Sequence, residues 1–230
     1  MTISLPIDLY SAEAQALESL KSALRDCPKR LWSVGWAFEG LRLMPVALRL
    51  RNSLQQHGYR PLFLWPDAGS AALARRDVNN NDPKITDFRN YLAEGSTIHN
   101  DIIVVVAPQP SDYEQVVSIC DRRVGACVIL NGRLENAAVG IGSIARENRR
   151  NFLSIIGIAY QLQPLDSGAL LRAYPQDWAL FRADPDGYRL VDTFKTRPDF
   201  EAINAALLDS RNSLVRQVTE IERFLEGLQH

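Results

Sequence analysis

Apolar residues recur at helical spacing near residues 11–25, where Leu17, Leu20 and Leu24 share one face opposite charges, and this predicts an amphipathic helix. Residues 31–38 are aromatic and β-branched and predict a strand. Pro45 marks a helix start, Leu48, Leu50 and Leu54 continue it, and Gly58 stops it. Residues 61–65 predict a second strand, after which Asp67-Ala-Gly69-Ser70 opens an Ala-rich helix to Asp77. Residues 79–83 are a polar loop, followed by a short helix with Phe88, Tyr91 and Leu92 inward.

Residues 101–107 are nearly all Ile and Val, the mark of a strand buried on both faces in a parallel sheet. Ser111-Asp-Tyr-Glu114 has capping-box form and predicts a helix to about Arg122, and 126–130 is the next apolar run, closed by Asn131-Gly132. Four alternations of strand and helix predict a Rossmann-like, mostly parallel α/β sheet flanked by helices.

The pattern then changes. A polar, Arg-rich helix is expected over 143–156, and short apolar runs at 158–162, 169–174, 178–182 and 188–194 alternate with turn residues. These four read as an antiparallel meander extending one edge of the sheet. After Pro198, a helix is expected over 199–228, with Leu207, Leu214, Val218, Ile221, Leu225 and Leu228 at heptad spacing and Ser210 interrupting the seam. The implied organisation is one α/β unit over 1–198, with parallel βα units over 1–150 and the meander over 151–198, then an amphipathic helix over 199–230. That helix either docks along the sheet or offers its distal seam, Leu214 to Leu228, to a partner helix or a second copy.

Composition narrows the class. The chain has 230 residues, 46% hydrophobic and 23% charged, an ordinary globular mixture that excludes intrinsic disorder. Net charge is −1, so bulk attraction to nucleic acid is absent, although 22 of the 26 basic residues are arginine, a bias that GC-rich coding also produces. Three cysteines at unpaired spacing suggest a reducing compartment and not a disulfide framework. No apolar run reaches the roughly 18 residues that a membrane-spanning helix requires, and the first residues lack the form of a signal or transit peptide. The expectation is a cytoplasmic protein.

Candidate chemistry is sparse. There is no Gly-Lys-Ser/Thr, no His-Glu-x-x-His, no Cys-x-x-Cys and no Gly-x-Ser-x-Gly, so no catalytic residue, metal site or cofactor is expected. Gly140-Ile-Gly142-Ser-Ile-Ala145 satisfies G-x-G-x-x-[GA] before a helix, but the nine-residue loop 131–139 separates it from the preceding strand, where a dinucleotide fingerprint follows its strand directly. Arg146, Arg149 and Arg150 follow it, and Arg146 and Arg150 share a helix face that either meets solvent or holds an anion. Asp67, Gly69 and Ser70 sit at the carboxyl end of a strand, as a ligand site or as a helix cap, and Asn131 ends another strand. An Arg-rich stretch without neighbouring aromatics does not favour RNA.

Several stretches in combination resemble one family: Leu62-Phe-Leu-Trp-Pro-Asp-Ala-Gly-Ser-Ala-Ala-Leu-Ala-Arg75, Val104-Val-Val-Ala-Pro-Gln-Pro-Ser-Asp-Tyr-Glu114, Ala138-Val-Gly-Ile-Gly-Ser-Ile-Ala-Arg146 with Arg149 to Phe152, Tyr160-Gln-Leu-Gln-Pro-Leu165, Gly168-Ala-Leu-Leu-Arg-Ala-Tyr-Pro175, Trp178 and Arg197-Pro198. The chain is similar to an uncharacterised domain of cyanobacteria and chloroplasts, whose members include a plant low-photosystem-II-accumulation assembly factor and the extension of a chloroplast adenylate kinase. The resemblance implies a non-enzymatic auxiliary factor in photosystem biogenesis, with photosystem subunits or membrane-insertion machinery as partners and peripheral association with the thylakoid surface. The absence of a transit peptide then suits a cyanobacterial member. The adenylate kinase link keeps a phosphate- or nucleotide-binding alternative open. No family site residues come with the resemblance.

Overall fold

In the computed structural model, residues 3–27, 30–78, 84–94, 101–134 and 143–208 are described. The elements run α1 Leu9–Asp26, β1 Leu31–Trp36, α2 Leu43–Gln56, β2 Pro61–Trp65, α3 Ala68–Val78, β3 Ile85–Asp87, α4 Phe88–Glu94, β4 Ile102–Val106, α5 Tyr113–Asp121, β5 Ala126–Leu130, α6 Ser143–Ser154, β6 Gly157–Leu165, β7 Gly168–Ala173, β8 Trp178–Asp184 and β9 Gly187–Phe194. The last described helix, α7, covers 200–208.

The nine strands form one sheet in the order β3-β2-β4-β5-β1-β6-β7-β8-β9. From β3 to β6 every pairing is parallel, and β6-β7-β8-β9 is antiparallel. β2, β4 and β5 are buried at every position, because each is sandwiched between helices and alternate side chains enter opposite cores. One core joins α1, α2 and α3 to Trp32, Val34, Phe63, Val104 and Val128. The other joins α4, α5 and α6 to Leu62, Ile103, Cys127 and Ile129. A third lies under α7, where Ile203 and Leu207 cover Leu170, Trp178 and Leu180.

Four departures from the expected pattern have clear causes. The run at 158–162 opens the expected meander, antiparallel with β7, but its other edge pairs in parallel with β1, a pairing the pattern does not predict. It is a shared strand, carrying a bulge opposite Ser33 and Val34. β1 ends at Trp36 and not at Phe38: the Ala37 N–H makes a last bond to Leu162 O at 2.9 Å, and a turn at residues 39–40, with Gly40 at φ +69°, leads the chain away. The short β3 was not expected, its three residues being too few to show a period. At α5 the Ser111 and Glu114 box does not form; Asp112 instead accepts from the Gln109 N–H at 2.8 Å across a 3-10 turn.

The Arg-rich helix is found, over Ser143–Ser154. The distal seam, Leu214, Val218, Ile221, Leu225 and Leu228, lies outside the described residues, as do Gly140 and Gly142. Among the described residues no helix is long and apolar enough to cross a membrane.

Candidate functional site

The ends of β1 and β5 organise the site. β1 leads into α2 on the α1 face of the sheet, whereas β5 leads, through residues outside the described set, to α6 on the opposite face. Adjacent parallel strands whose connections leave toward opposite faces open a crevice at their carboxyl ends, the usual ligand position in such sheets. A cleft of about 640 Å³ lies there.

Its floor and walls come from separate stretches. Ser33 and Gly35 of β1, Ile129 of β5 and Ile158 and Gln161 of β6 line the cleft, with Leu134, Leu153 and Ile156 beside them. At Gly35 the bare backbone lets the Gln161 carboxamide lie across it; a Cβ there would meet Oε1 at 2.6 Å and push the end of that side chain aside. Glu39, Arg133 and Arg197 line the cleft from exposed positions. Arg197 is held in place, its Nη2 donating to Gln163 Oε1 at 3.1 Å and its guanidinium lying 5.9 Å from the Trp178 ring centroid.

Asn131 splices the two strand ends. Its N–H donates to Val34 O at 2.8 Å, and its side chain bonds both backbone groups of Trp36. It has φ +53°, and Ala107 at the end of neighbouring β4 has φ +47°, so two non-glycine residues adopt left-handed backbone at adjacent strand ends. Such conformations persist only where surrounding contacts enforce them. Here Ala107 N–H donates to Leu130 O at 2.8 Å.

The other expected site residues are placed elsewhere. Asp67 accepts from the Ser70 N–H at 2.9 Å and from Ser70 Oγ at 2.7 Å, capping α3 two strands away from the cleft. Those bonds hold its carboxyl below the ordinary range, the backbone one contributing most. Gly69 belongs to the same exposed turn and does not line the cleft. Arg149 lies over the Tyr113 ring at 4.5 Å and approaches Glu114 at 3.6 Å, fastening α6 to α5. Arg146 and Arg150 are exposed on α6 and do not line the cleft.

Of the candidates among the described residues, only Asn131 lines the cleft. Arg133, Gln161 and Arg197 also line it: Arg133 belongs to the Arg-rich stretch, and Gln161 and Arg197 fall within stretches bearing the family resemblance. Among the described residues, no three His, Cys, Asp or Glu side chains gather as a metal site.

This arrangement defines a class: a doubly wound α/β protein with a cleft at the carboxyl edge of its sheet. The chain belongs to the family described as a domain of unknown function, DUF1995, which it matches over residues 6–205. Among curated proteins none matches the chain. Among solved structures, it is similar at 9% identity to the flagellar accessory protein FlaH from Methanocaldococcus jannaschii, covering 71% of this chain and 89% of that one with a TM-score of 0.36. A likeness that slight carries no argument here.

Proposed function

We propose that this protein is a non-enzymatic auxiliary factor in photosystem biogenesis, most specifically of photosystem II, and that it acts by binding partner proteins at the thylakoid surface. Family membership supplies the context, and the resemblance to a photosystem II assembly factor supplies the process. The observation that carries the non-enzymatic part is the make-up of the cleft. Among its described lining residues the titratable groups are Glu39, Arg133 and Arg197, all exposed, while the floor offers Ser33, Gly35 and Gln161. General acid–base chemistry needs a proton donor and acceptor within hydrogen-bond reach of a reacting atom. A floor of amide and hydroxyl groups with charges outside it suits recognition.

The test is co-purification. The full chain, tagged at its N-terminus and expressed in a thylakoid-bearing host, should recover photosystem II subunits or insertion machinery from detergent-solubilised membranes above an untagged control. An eluate free of both would count against the proposal.

A further inference from the structure

We infer that the cleft at the carboxyl ends of β5 and β1, flanked by the first half of β6, is a binding site for an amphipathic organic anion, a carboxylate or phosphate borne on an apolar body. This goes beyond the partner-binding reading and does not depend on it.

Three features of the site converge on that chemistry. The first is size and place. A volume of about 640 Å³ matches a small organic ligand, and the site sits where the strand connections diverge. The second is the apolar wall. Ile129, Leu134, Leu153, Ile156 and Ile158 line the cleft from β5, the following loop, α6 and β6. Ile129 and Leu134 are each 4% exposed, while Leu153, Ile156 and Ile158 are half-buried, so a ligand body has accessible apolar surface to cover.

The third is the charge pattern. Arg133 enters from the β5 side and Arg197 from the β6 side, against Glu39, the single acid among the described lining residues. Arginine presents a planar fork that matches carboxylate and phosphate oxygens. Arg197 is already oriented by Gln163 and Trp178, which lowers the entropy lost on binding. The Gln161 carboxamide, packed over Gly35, adds a neutral polar group to the floor. Nearby, α2 begins at Leu43, two residues past cleft-lining Leu41, and its N-cap residue Arg42 makes no side-chain cap hydrogen bond. The positive end of that helix adds to the same potential. A cation would meet two guanidiniums, and a wholly polar anion would leave the apolar wall uncovered.

The probe is 8-anilinonaphthalene-1-sulfonate, an aromatic anion whose fluorescence rises on leaving water, with N-phenyl-1-naphthylamine as its neutral counterpart. The folded full chain should bind the sulfonate at one saturable site, and dodecanoate and dodecyl phosphate should displace it. Which of the two displaces more strongly identifies the headgroup, carboxylate or phosphate. Arg133→Glu with Arg197→Glu should weaken sulfonate binding about tenfold while sparing the neutral compound. Ile156→Trp, which fills the apolar side, should abolish both. If the double reversal folds poorly, Arg133→Gln alone gives the same reading with a smaller loss, since the residue is exposed and its backbone N–H is engaged with Pro108 O. Absence of saturable binding, several equivalent sites, or sulfonate affinity unchanged by charge reversal would each overturn the inference.

Discussion

The Asn131 carboxamide engages both backbone polar groups of Trp36: Oδ1 accepts from the N–H at 2.7 Å, and Nδ2 donates to the carbonyl at 3.1 Å. It therefore acts as a substitute strand residue, extending the β5–β1 ladder past the point where β5 ends at Leu130. Asn tolerates the left-handed backbone this requires better than other non-glycine residues. Asn131→Ala should lose both bonds and add backbone strain, a cost of roughly 2–4 kcal/mol. Asn131→Gly removes the bonds but not the conformational fit, and should fall between Ala and the wild type. Denaturant midpoints for the three proteins test the order. If the alanine variant matches the wild type, the splice is not structural.

Asp67 is expected to behave as a cap. Replacing it with Ala should cost about 1 kcal/mol, typical of a lost N-terminal cap, and should leave occupation of the cleft unchanged. The pH dependence has a definite sign. Ser70 holds the folded carboxyl below its ordinary value, so its contribution is complete above the ordinary carboxylate range and is lost as pH falls through the lowered folded value. Asp8 and Asp101 are lowered too, by Ser11 and Arg60 respectively, and act in the same direction. Asp67→Asn should thus flatten only part of the acid limb of stability against pH. An unchanged acid limb would mean that Asp67 is uncoupled from folding.

Much of the architecture was legible because local chemistry and the final environment agree. The runs at β2, β4 and β5 are apolar throughout since they are buried on both faces, and a continuous run states this directly. β6 was legible on one side only. Its alternation and the turn at Asp166 to Gly168 describe the hairpin with β7, whereas its parallel bonds to β1 join Gly157 to Trp32 across more than a hundred residues. No periodicity records that pairing. The cleft was illegible on the same ground: Gly35, Arg133, Gln161 and Arg197 meet only after three crossovers and a meander are in place. Asp67 and Arg149 were visible as polar residues at suggestive places, but each is occupied by a neighbour, Ser70 in one case and Tyr113 in the other.

The three arginines of α6 should separate sharply by mutation. Arg149 has a side chain only 14% exposed, stacked on Tyr113, whose ring meets Phe152 edge-on at 5.7 Å between centroids. Removing it takes away a cation–π contact and the packing of its aliphatic stem between α5 and α6. Arg149→Ala should cost roughly 1–2 kcal/mol. Arg146→Ala and Arg150→Ala, at exposed positions, should each stay within about 0.5 kcal/mol of the wild type. A double-mutant cycle of Arg149→Ala with Tyr113→Leu should show coupling of about 0.5–1 kcal/mol. Additivity would assign the loss to contacts of Arg149 other than Tyr113, Glu114 among them.

The cysteines should differ in reactivity although none is paired. Cys120, at the end of α5, and Cys127, in β5, bring their Sγ atoms to 3.5 Å inside the second core, where both are fully buried. That contact is a thiol hydrogen bond, well beyond the roughly 2.05 Å of a disulfide. It raises the Cys127 thiol, and burial raises it further, so the nucleophilic thiolate is suppressed. Cys27 ends α1 and is half-buried, its carbonyl accepting from Trp32 Nε1 at 3.3 Å. Titration with an aromatic disulfide reagent should therefore modify Cys27 alone in the folded protein, and all three thiols in denaturant. Cys27→Ser should abolish the native reaction without a large change in stability. Cys127→Ser should cost about 1–3 kcal/mol by placing a hydroxyl among Leu31, Ile103 and Ile129. Prompt modification of more than one native thiol would show that α5 separates from β5 under native conditions, and the tight second core described above would not hold in solution.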